Sequence, residues 1–298
     1  MIGLLRRFRQ RRRLASLLED RPMIHLPHDL REPESVGVFC SGGEERVWAA
    51  VYMARALAEA YGSDALHAFC PGRDRELMAS VVAPDRVHRL PDPSGDCREE
   101  APPPSIIFYP YGDVPLDAAV RLASLRRPVA GMAEHPVVGL RVRVAGGYRL
   151  PRAVEEMCRL LEVPFPRDWR PDVPRNEAAR AEALLAPVSG HAMPYIAATS
   201  GAADVLRTAG VEIPLKMVLM DSEKGPVEGA ERGVRAAVVA GASAVVTDGP
   251  VVYGDACALG VPVVGLDRRG SFPPWDREPA SDEESFVAAW RDLLREGW

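Results

Sequence analysis

From residue 35 onward, short apolar runs alternate with longer segments whose apolar positions recur every three or four residues. SVGVFC (35–40), LHAFC (66–70), RVHRL (86–90), SIIFYP (105–110) and PVAGM (128–132) have the look of short buried strands. Helical periodicity fills 46–61, about 73–82 and 113–125, and Gly62 offers a stop for the first of these helices. RAVEEMCRLLEV (152–163) is one more amphipathic helix. PFPRDWRPDVP (164–174) then places four prolines in eleven residues, which marks a domain boundary. Beyond it the alternation resumes. A helix is predicted over about 175–183, a strand over ALLAPVSG (183–190), and mostly helix over AMPYIAATSGAADVLRTAG (192–210). LKMVLM (215–220) is a strand, 229–242 a helix, 243–249 a strand, 250–260 a helix, 261–267 a strand and 284–297 a closing helix. Strands separated by helices imply parallel sheets with helices on both faces. The predicted fold class is therefore α/β, with two Rossmann-like domains. The expected divisions are an arm and lead-in (1–34), a first domain (35–163), a linker (164–174) and a second domain (175–298).

Composition narrows the function. At 47% hydrophobic and 27% charged residues, the chain is an ordinary globular one, and no apolar run approaches a membrane span. The net charge of −5 argues against a dedicated nucleic-acid binder. Five scattered cysteines form no C-x-x-C pair, so neither a disulfide framework nor a zinc knuckle is indicated, and a reducing, cytoplasmic setting is expected. His25, His28, His67, His88 and His135 share no metal-ligand spacing. No metal and no cofactor are expected.

The first eighteen residues, MIGLLRRFRQRRRLASLL, stand apart. Six arginines and no acid fall in the first fourteen, so the remainder of the chain carries −11. Met1, Leu4, Leu5 and Phe8 lie beside that charge at helical spacing. Such a segment suits an anionic membrane surface or an acidic partner, and equally a helix packed on the protein itself.

In parallel sheets, ligands bind beyond the carboxyl ends of the strands. The first such turn is SGGEE (41–45). Gly42 and Gly43 allow close backbone approach, and the helix that follows offers free N–H groups. Glu44 and Glu45 suit an acid in a crevice and also suit the first turn of a helix. Tyr109 and Tyr111, at the end of a predicted strand, offer aromatic faces to a sugar or base, or rim packing. Asp248 precedes a Gly249–Pro250 turn, where turn chemistry alone also favours it. There is no GxGxxG fingerprint, no P-loop and no G-x-S-x-G elbow.

Four segments together resemble family 9 glycosyltransferases, the heptosyltransferase-like enzymes of lipopolysaccharide synthesis. They are SGGEERVWAAVYMARAL (41–57), SIIFYPYGDVPLDAAVRLASLRRPVAGM (105–132), RAVEEMCRLLEVP (152–164) and ASAVVTDGPVVYGDACALGVPVVGL (242–266). The resemblance implies a GT-B architecture, with the two domains facing across a cleft. It further implies metal-independent transfer of a sugar from a nucleotide-sugar, ADP-linked, to a lipid-linked or glycan acceptor. Glu44 or Glu45 would then be the base, beside Gly42, Gly43, Tyr109 and Tyr111. Ser189, His191, Glu223, Asp248, Gly249, Pro250 and Tyr253 would hold the donor. Such an enzyme would work in the cytoplasm, peripherally at the inner membrane face.

Two departures from the family pattern stand out. The family's lysine after the first strand of the donor half is missing, with Ser189 and His191 in the corresponding turn. Its D-T-G-x-x-H cluster reads Asp248 to Tyr253 here. These departures, with a shortened second half, motivate a second reading as a non-catalytic binding or scaffold subunit. An epimerase of the same fold is less favoured, because it needs more cationic groups around the diphosphate.

Overall fold

A computed structural model of the chain describes residues 2–19, 33–41, 46–90, 104–144, 148–166, 169–189, 194–221, 226–227, 230–272 and 275–296. The chain divides into two compact units, Met1–Asp168 and Trp169–Trp298.

The first unit is built on a six-stranded parallel sheet. Its strands are β1 (Val36–Phe39), β2 (Leu66–Cys70), β3 (Val87–Arg89), β4 (Ile106–Tyr109), β5 (Val129–Gly131) and β6 (Leu140–Arg141), in the order β3-β2-β1-β4-β5-β6. β1 is central, with Val36 opposite Leu66 on one side and Ile106 on the other. Every residue of β1, β2 and β4 is buried, which accounts for their continuous apolar runs. Helix α1 (Ile2–Glu19) opens the chain, α2 (Val47–Tyr61) follows β1, and α3 (Arg75–Met78) follows β2. α4 (Leu116–Ser124) and α5 (Arg152–Leu160) complete the unit. α2 buries ten of its fifteen residues, including Trp48 and Met53, because it lies on β1 and β2 and is covered by α3 and α5. α1 packs on α4 and buries Leu14, so the arginine-rich arm is a helix seated on the protein.

The second unit carries a four-stranded parallel sheet. Its strands are β7 (Tyr195–Ala198), β8 (Lys216–Leu219), β9 (Ala244–Thr247) and β10 (Val263–Gly265), in the order β10-β9-β7-β8. Its helices are α6 (Arg175–Ser189), α7 (Ser200–Thr208), α8 (Arg232–Ala240), α9 (Pro250–Leu259) and α10 (Glu283–Glu296). Ile196, Leu206, Val246, Phe286 and Trp290 form one core in which α10 and α7 meet the sheet. α8 and α9 are joined by a buried ion pair between Arg232 and Asp255. α9 ends at Gly260, whose φ of 71° is the left-handed conformation that a glycine cap supplies without strain.

Two predicted elements are corrected. ALLAPVS (183–189) of the predicted strand is the end of helix α6. Glu177, Ala181 and Leu185 bury a stripe at four-residue spacing, and this period outweighs the apolar run that suggested a strand. In turn, YIAA within the predicted helix 192–210 is strand β7, buried at all four positions between β8 and β9. Its two alanines favour helix by propensity, and the two-sided sheet environment overrides that preference. The helix predicted over 73–82 shrinks to α3, and the short edge strand β6 has no apolar run to announce it.

His67 on β2 and His88 on β3, unrelated in spacing, meet side by side. His67 Nδ1 lies 2.9 Å from His88 Nε2, the rings stack at 5.2 Å, and Arg86 reaches His67 Nε2 at 3.4 Å. Burial holds both imidazoles below their usual pKa. Arg86 adds to this effect at each ring, and Asp85 opposes it. The unfolded chain therefore binds protons before the folded one does as pH falls through about 6.5. The contribution of this pair to stability is full above that value and declines below it. The thermal midpoint is expected to fall between pH 7.5 and 5, and His88→Gln is expected to shallow that dependence. Midpoints recorded across this range for both proteins check it, and identical slopes would exclude the pair as the cause.

Candidate functional site

Each sheet reverses the direction in which strands are added, and the reversal leaves strand ends uncovered. In the first unit the reversal lies between β1 and β4, and in the second between β7 and β9. Ligand crevices of open α/β sheets form at such points.

At the β1/β4 reversal, β1 runs into Cys40 and Ser41, and the chain is described again from Arg46. Gly42, Gly43, Glu44 and Glu45 lie outside the described residues. What surrounds their two ends is well defined. The Tyr109 hydroxyl donates to the Asp113 carbonyl at 2.9 Å and stands 3.4 Å from Ser41 Oγ. The Tyr111 hydroxyl donates to the Arg46 carbonyl at 3.2 Å and accepts the Ser41 N–H at 3.4 Å. The two rings meet edge to face at 4.9 Å. Arg46 makes two hydrogen bonds to Asp113, at 2.6 and 3.3 Å. Beside them the Tyr148 hydroxyl donates to the Pro110 carbonyl at 2.9 Å.

Tyr109 and Tyr111 are 0% and 1% exposed, so neither presents a ring face for stacking. They hold Ser41 and Arg46, the described residues that flank 42–45. Burial pushes all three phenols far up, and they remain protonated donors. Burial likewise raises the Cys40 thiol, which removes it as a nucleophile.

At the β7/β9 reversal the polar groups converge more closely. Thr199 extends the β7 ladder by donating its N–H to the Val246 carbonyl at 3.1 Å. Its hydroxyl donates to Asp248 Oδ1 at 2.5 Å and accepts the Asp248 N–H at 2.9 Å. A single side chain thus fixes both the backbone and the carboxylate of Asp248. The other carboxylate oxygen lies against Gly201, where any Cβ would overlap it. Ser200 opens α7, and its N–H and hydroxyl both donate to Asp221 Oδ1, at 2.7 and 2.9 Å. Asp221 follows β8, so a neighbouring strand caps α7 with a carboxylate at the positive end of the helix dipole. On the other side, Thr247 Oγ1 accepts the Gly249 N–H at 2.9 Å, and Pro250 takes the first position of α9. Asp248 and Asp221 are both exposed at this open end.

Not all of the expected donor residues reach this place. Asp248, Gly249 and Pro250 do. Ser189 is the last residue of α6, and His191 and Glu223 lie outside the described residues. Tyr253 turns inward. It is 1% exposed, its hydroxyl donates to the Arg277 carbonyl at 2.8 Å, and its ring packs on Phe272. Burial raises its pKa steeply, so it offers no charge to a ligand. Trp275 is also buried, at 4% exposure. The sequence reading missed Thr199, Ser200, Gly201 and Asp221. The signal for the first three was the small-residue turn TSG after YIAA, hidden once that strand was read as helix.

This constellation suits hydroxyl-rich ligands. Two oriented carboxylates accept hydrogen bonds from sugar or ribose hydroxyls, and the starts of α7 and α9 offer dipoles to an anion. Among the described residues of this unit the one lysine, Lys216, begins β8 and so sits at the opposite end of the sheet. No three histidine, cysteine or carboxylate side chains gather as a metal site among the described residues.

No family model matches the chain, and no curated relative does. Solved structures do resemble it. Escherichia coli ADP-heptose lps heptosyltransferase II aligns over 88% of this chain and 99% of its own, at 15% identity and a TM-score of 0.57. The glycosyl transferase family 9 protein from Veillonella parvula DSM 2008 aligns over 93% and 100%, at 11% identity and 0.58. E. coli heptosyltransferase WaaC with ADP-2-deoxy-2-fluoro heptose aligns over 89% and 100%, at 14% identity and 0.50. The chain has a heptosyltransferase-like fold, with the two Rossmann-like units of the GT-B class.

The Thr199–Asp248 contact is testable by itself. Thr199→Ala is expected to cost about 1.5 kcal/mol, the low end for a hydrogen bond to a charged group, because Asp248 is exposed. Thr199→Ser is expected to keep most of that stability. Urea midpoints of the two variants check this, and equal losses would show that the methyl group, not the hydroxyl, matters.

Proposed function

We propose that the protein is a glycosyltransferase that moves a sugar from an ADP-linked nucleotide-sugar to a lipid-linked or glycan acceptor. The observation that supports this reading is the pair of oriented carboxylates, Asp248 and Asp221, at the β7/β9 reversal of a fold shared with heptosyltransferases. Glu44 or Glu45 is the base in this reading. It takes the proton of the acceptor hydroxyl, whose oxygen attacks the anomeric carbon. The bond from that carbon to the diphosphate breaks, and the electron pair leaves on the phosphate oxygen. Asp248 and Asp221 hold hydroxyls of the donor. Backbone N–H groups and the helix starts of α7 and α9 stabilise the leaving diphosphate. The acceptor implies work in the cytoplasm at the inner membrane face, and no described helix is long and apolar enough to cross a membrane.

Calorimetry with ADP, UDP, GDP and CDP tests the donor half. Selective ADP binding is expected, with at least a tenfold loss in Asp248→Ala. The second reading, a non-catalytic subunit, is motivated by one observation: the family's histidine position falls at Tyr253 or Gly254, and Tyr253 is buried and neutral. Failure of the folded protein to bind any of the four nucleotides selects that reading. For the base, the Glu44→Gln, Glu45→Gln double variant is expected to abolish release of ADP from ADP-heptose in the presence of acceptor while retaining nucleotide affinity. Unchanged turnover would remove both glutamates as the base.

A further inference from the structure

We infer that the loop between β10 and α10 carries the cation that meets the diphosphate of the donor, and that this cation is Arg269. The inference rests on the nucleotide-sugar reading proposed above and names a residue for it. The loop is fixed beside the β7/β9 crevice at three places. At its root, the Leu266 N–H donates to the Thr247 carbonyl at 2.8 Å, which sets Leu266 beside Asp248. In its middle, Phe272 packs its ring on Tyr253 of α9, with centroids 4.7 Å apart. Further on, the Arg277 carbonyl accepts the Tyr253 hydroxyl at 2.8 Å. Tyr253 closes the first turn of α9, the helix that begins at Pro250, so the loop runs along that turn. Between root and middle the chain is shaped by Asp267. Its carboxylate accepts the N–H groups of Arg269, Ser271 and Phe272, at 3.2, 2.9 and 2.9 Å. Arg269 therefore sits on a preformed loop, and little backbone ordering is left for a ligand to impose.

Charge selects this residue. The open end of the second sheet presents two exposed carboxylates, Asp248 and Asp221, and a diphosphate brought there needs a positive group to offset them. Three arginines of this unit are already engaged. Arg232 is buried against Asp255, Arg180 is shared by Glu177 and Glu231, and Arg268 is paired with Glu283 at the start of α10. Arg277 is exposed, but its charge reaches Cys257, one turn beyond Tyr253 and away from the helix start. Arg269 is exposed, and among the described residues its guanidinium has no hydrogen-bond or ion-pair partner. Lys216 lies at the opposite end of the sheet, and Lys224 lies outside the described residues. A planar guanidinium also binds two phosphate oxygens at once, which an ammonium does not. The aspartates then take hydroxyls of the donor, while Arg269 and the N–H groups at the start of α9 take its diphosphate.

Calorimetry with ADP and with adenosine tests the assignment, on the parent protein and on Arg269→Ala, Arg269→Lys, Arg277→Ala and Lys224→Ala. Arg269→Ala is expected to lose about fivefold in ADP affinity, the upper range for an exposed ion pair, and to bind adenosine as the parent does. The parent's ADP affinity is expected to fall more steeply with salt than the variant's. Arg269→Lys is expected to recover part of the loss, and Arg277→Ala to match the parent. Equal thermal midpoints for the parent and Arg269→Ala show that the fold is intact. Equal ADP affinity of these two proteins overturns this assignment alone. So does an equal loss for adenosine, or a loss confined to Lys224→Ala. Failure of the parent to bind ADP overturns the donor reading and this assignment together.

Discussion

When a parallel sheet reverses the direction in which strands are added, two neighbouring strands send their connections to opposite faces. The carboxyl ends of that pair are left without a helix over them. Every functional placement in this chain follows from that constraint, applied once in each unit. Between β1 and β4 it falls where β1 runs into Cys40 and Ser41, and between β7 and β9 it exposes Asp248. The strands themselves are buried on both faces and have little freedom to differ. Variation is therefore pushed to the turns, where chemistry is decided.

The two crevices solve the problem of a fixed turn differently. In the first unit, buried tyrosines brace the chain on either side of the turn, with hydroxyls satisfied by the carbonyls of Arg46 and Asp113. The Arg46–Asp113 pair above them is exposed, and its value lies in position more than in stability. In the second unit the bracing is direct: Thr199 bonds both the N–H and the carboxylate of Asp248. Gly201 belongs to the same device, because only a residue without a Cβ lets that carboxylate lie on the start of α7.

Much of this was legible in the sequence where pattern and environment agree. β1, β2, β4 and β9 announced themselves as short apolar runs, because strands buried on both faces need no alternation. α2 and α10 did so by their helical period. The failures cluster between 183 and 200, where local preference and tertiary context disagree. Ala181 and Leu185 carry helical spacing into a run that also looks like a strand. Tyr195 to Ala198 is alanine-rich and becomes a strand because β8 and β9 flank it. That exchange hid Thr199, Ser200 and Gly201, since a strand-to-helix turn is visible only if the strand is seen. Asp221 was hidden for another reason: its role as a cap on α7 comes from a neighbouring strand, which no local motif encodes. Asp248 was found because its strand, turn and helix are contiguous.

The character of the second crevice follows from which charges it holds. A carboxylate beside a helix start is stabilised by the dipole and gives up part of that start's attraction for other anions. Asp221 does this at Ser200, and Asp248 lies one residue further on. No described lysine lies at this end of the sheet, and Tyr253 is buried. The balance therefore shifts from countering charge toward gripping hydroxyls. A ligand with hydroxyls at both ends of a diphosphate can satisfy such a site only by laying a polyol end on the aspartates. Its phosphates must then fall to the remaining N–H groups of α7 and α9. Under the proposed function, this end of the sheet recognises the sugar or ribose more than the phosphate.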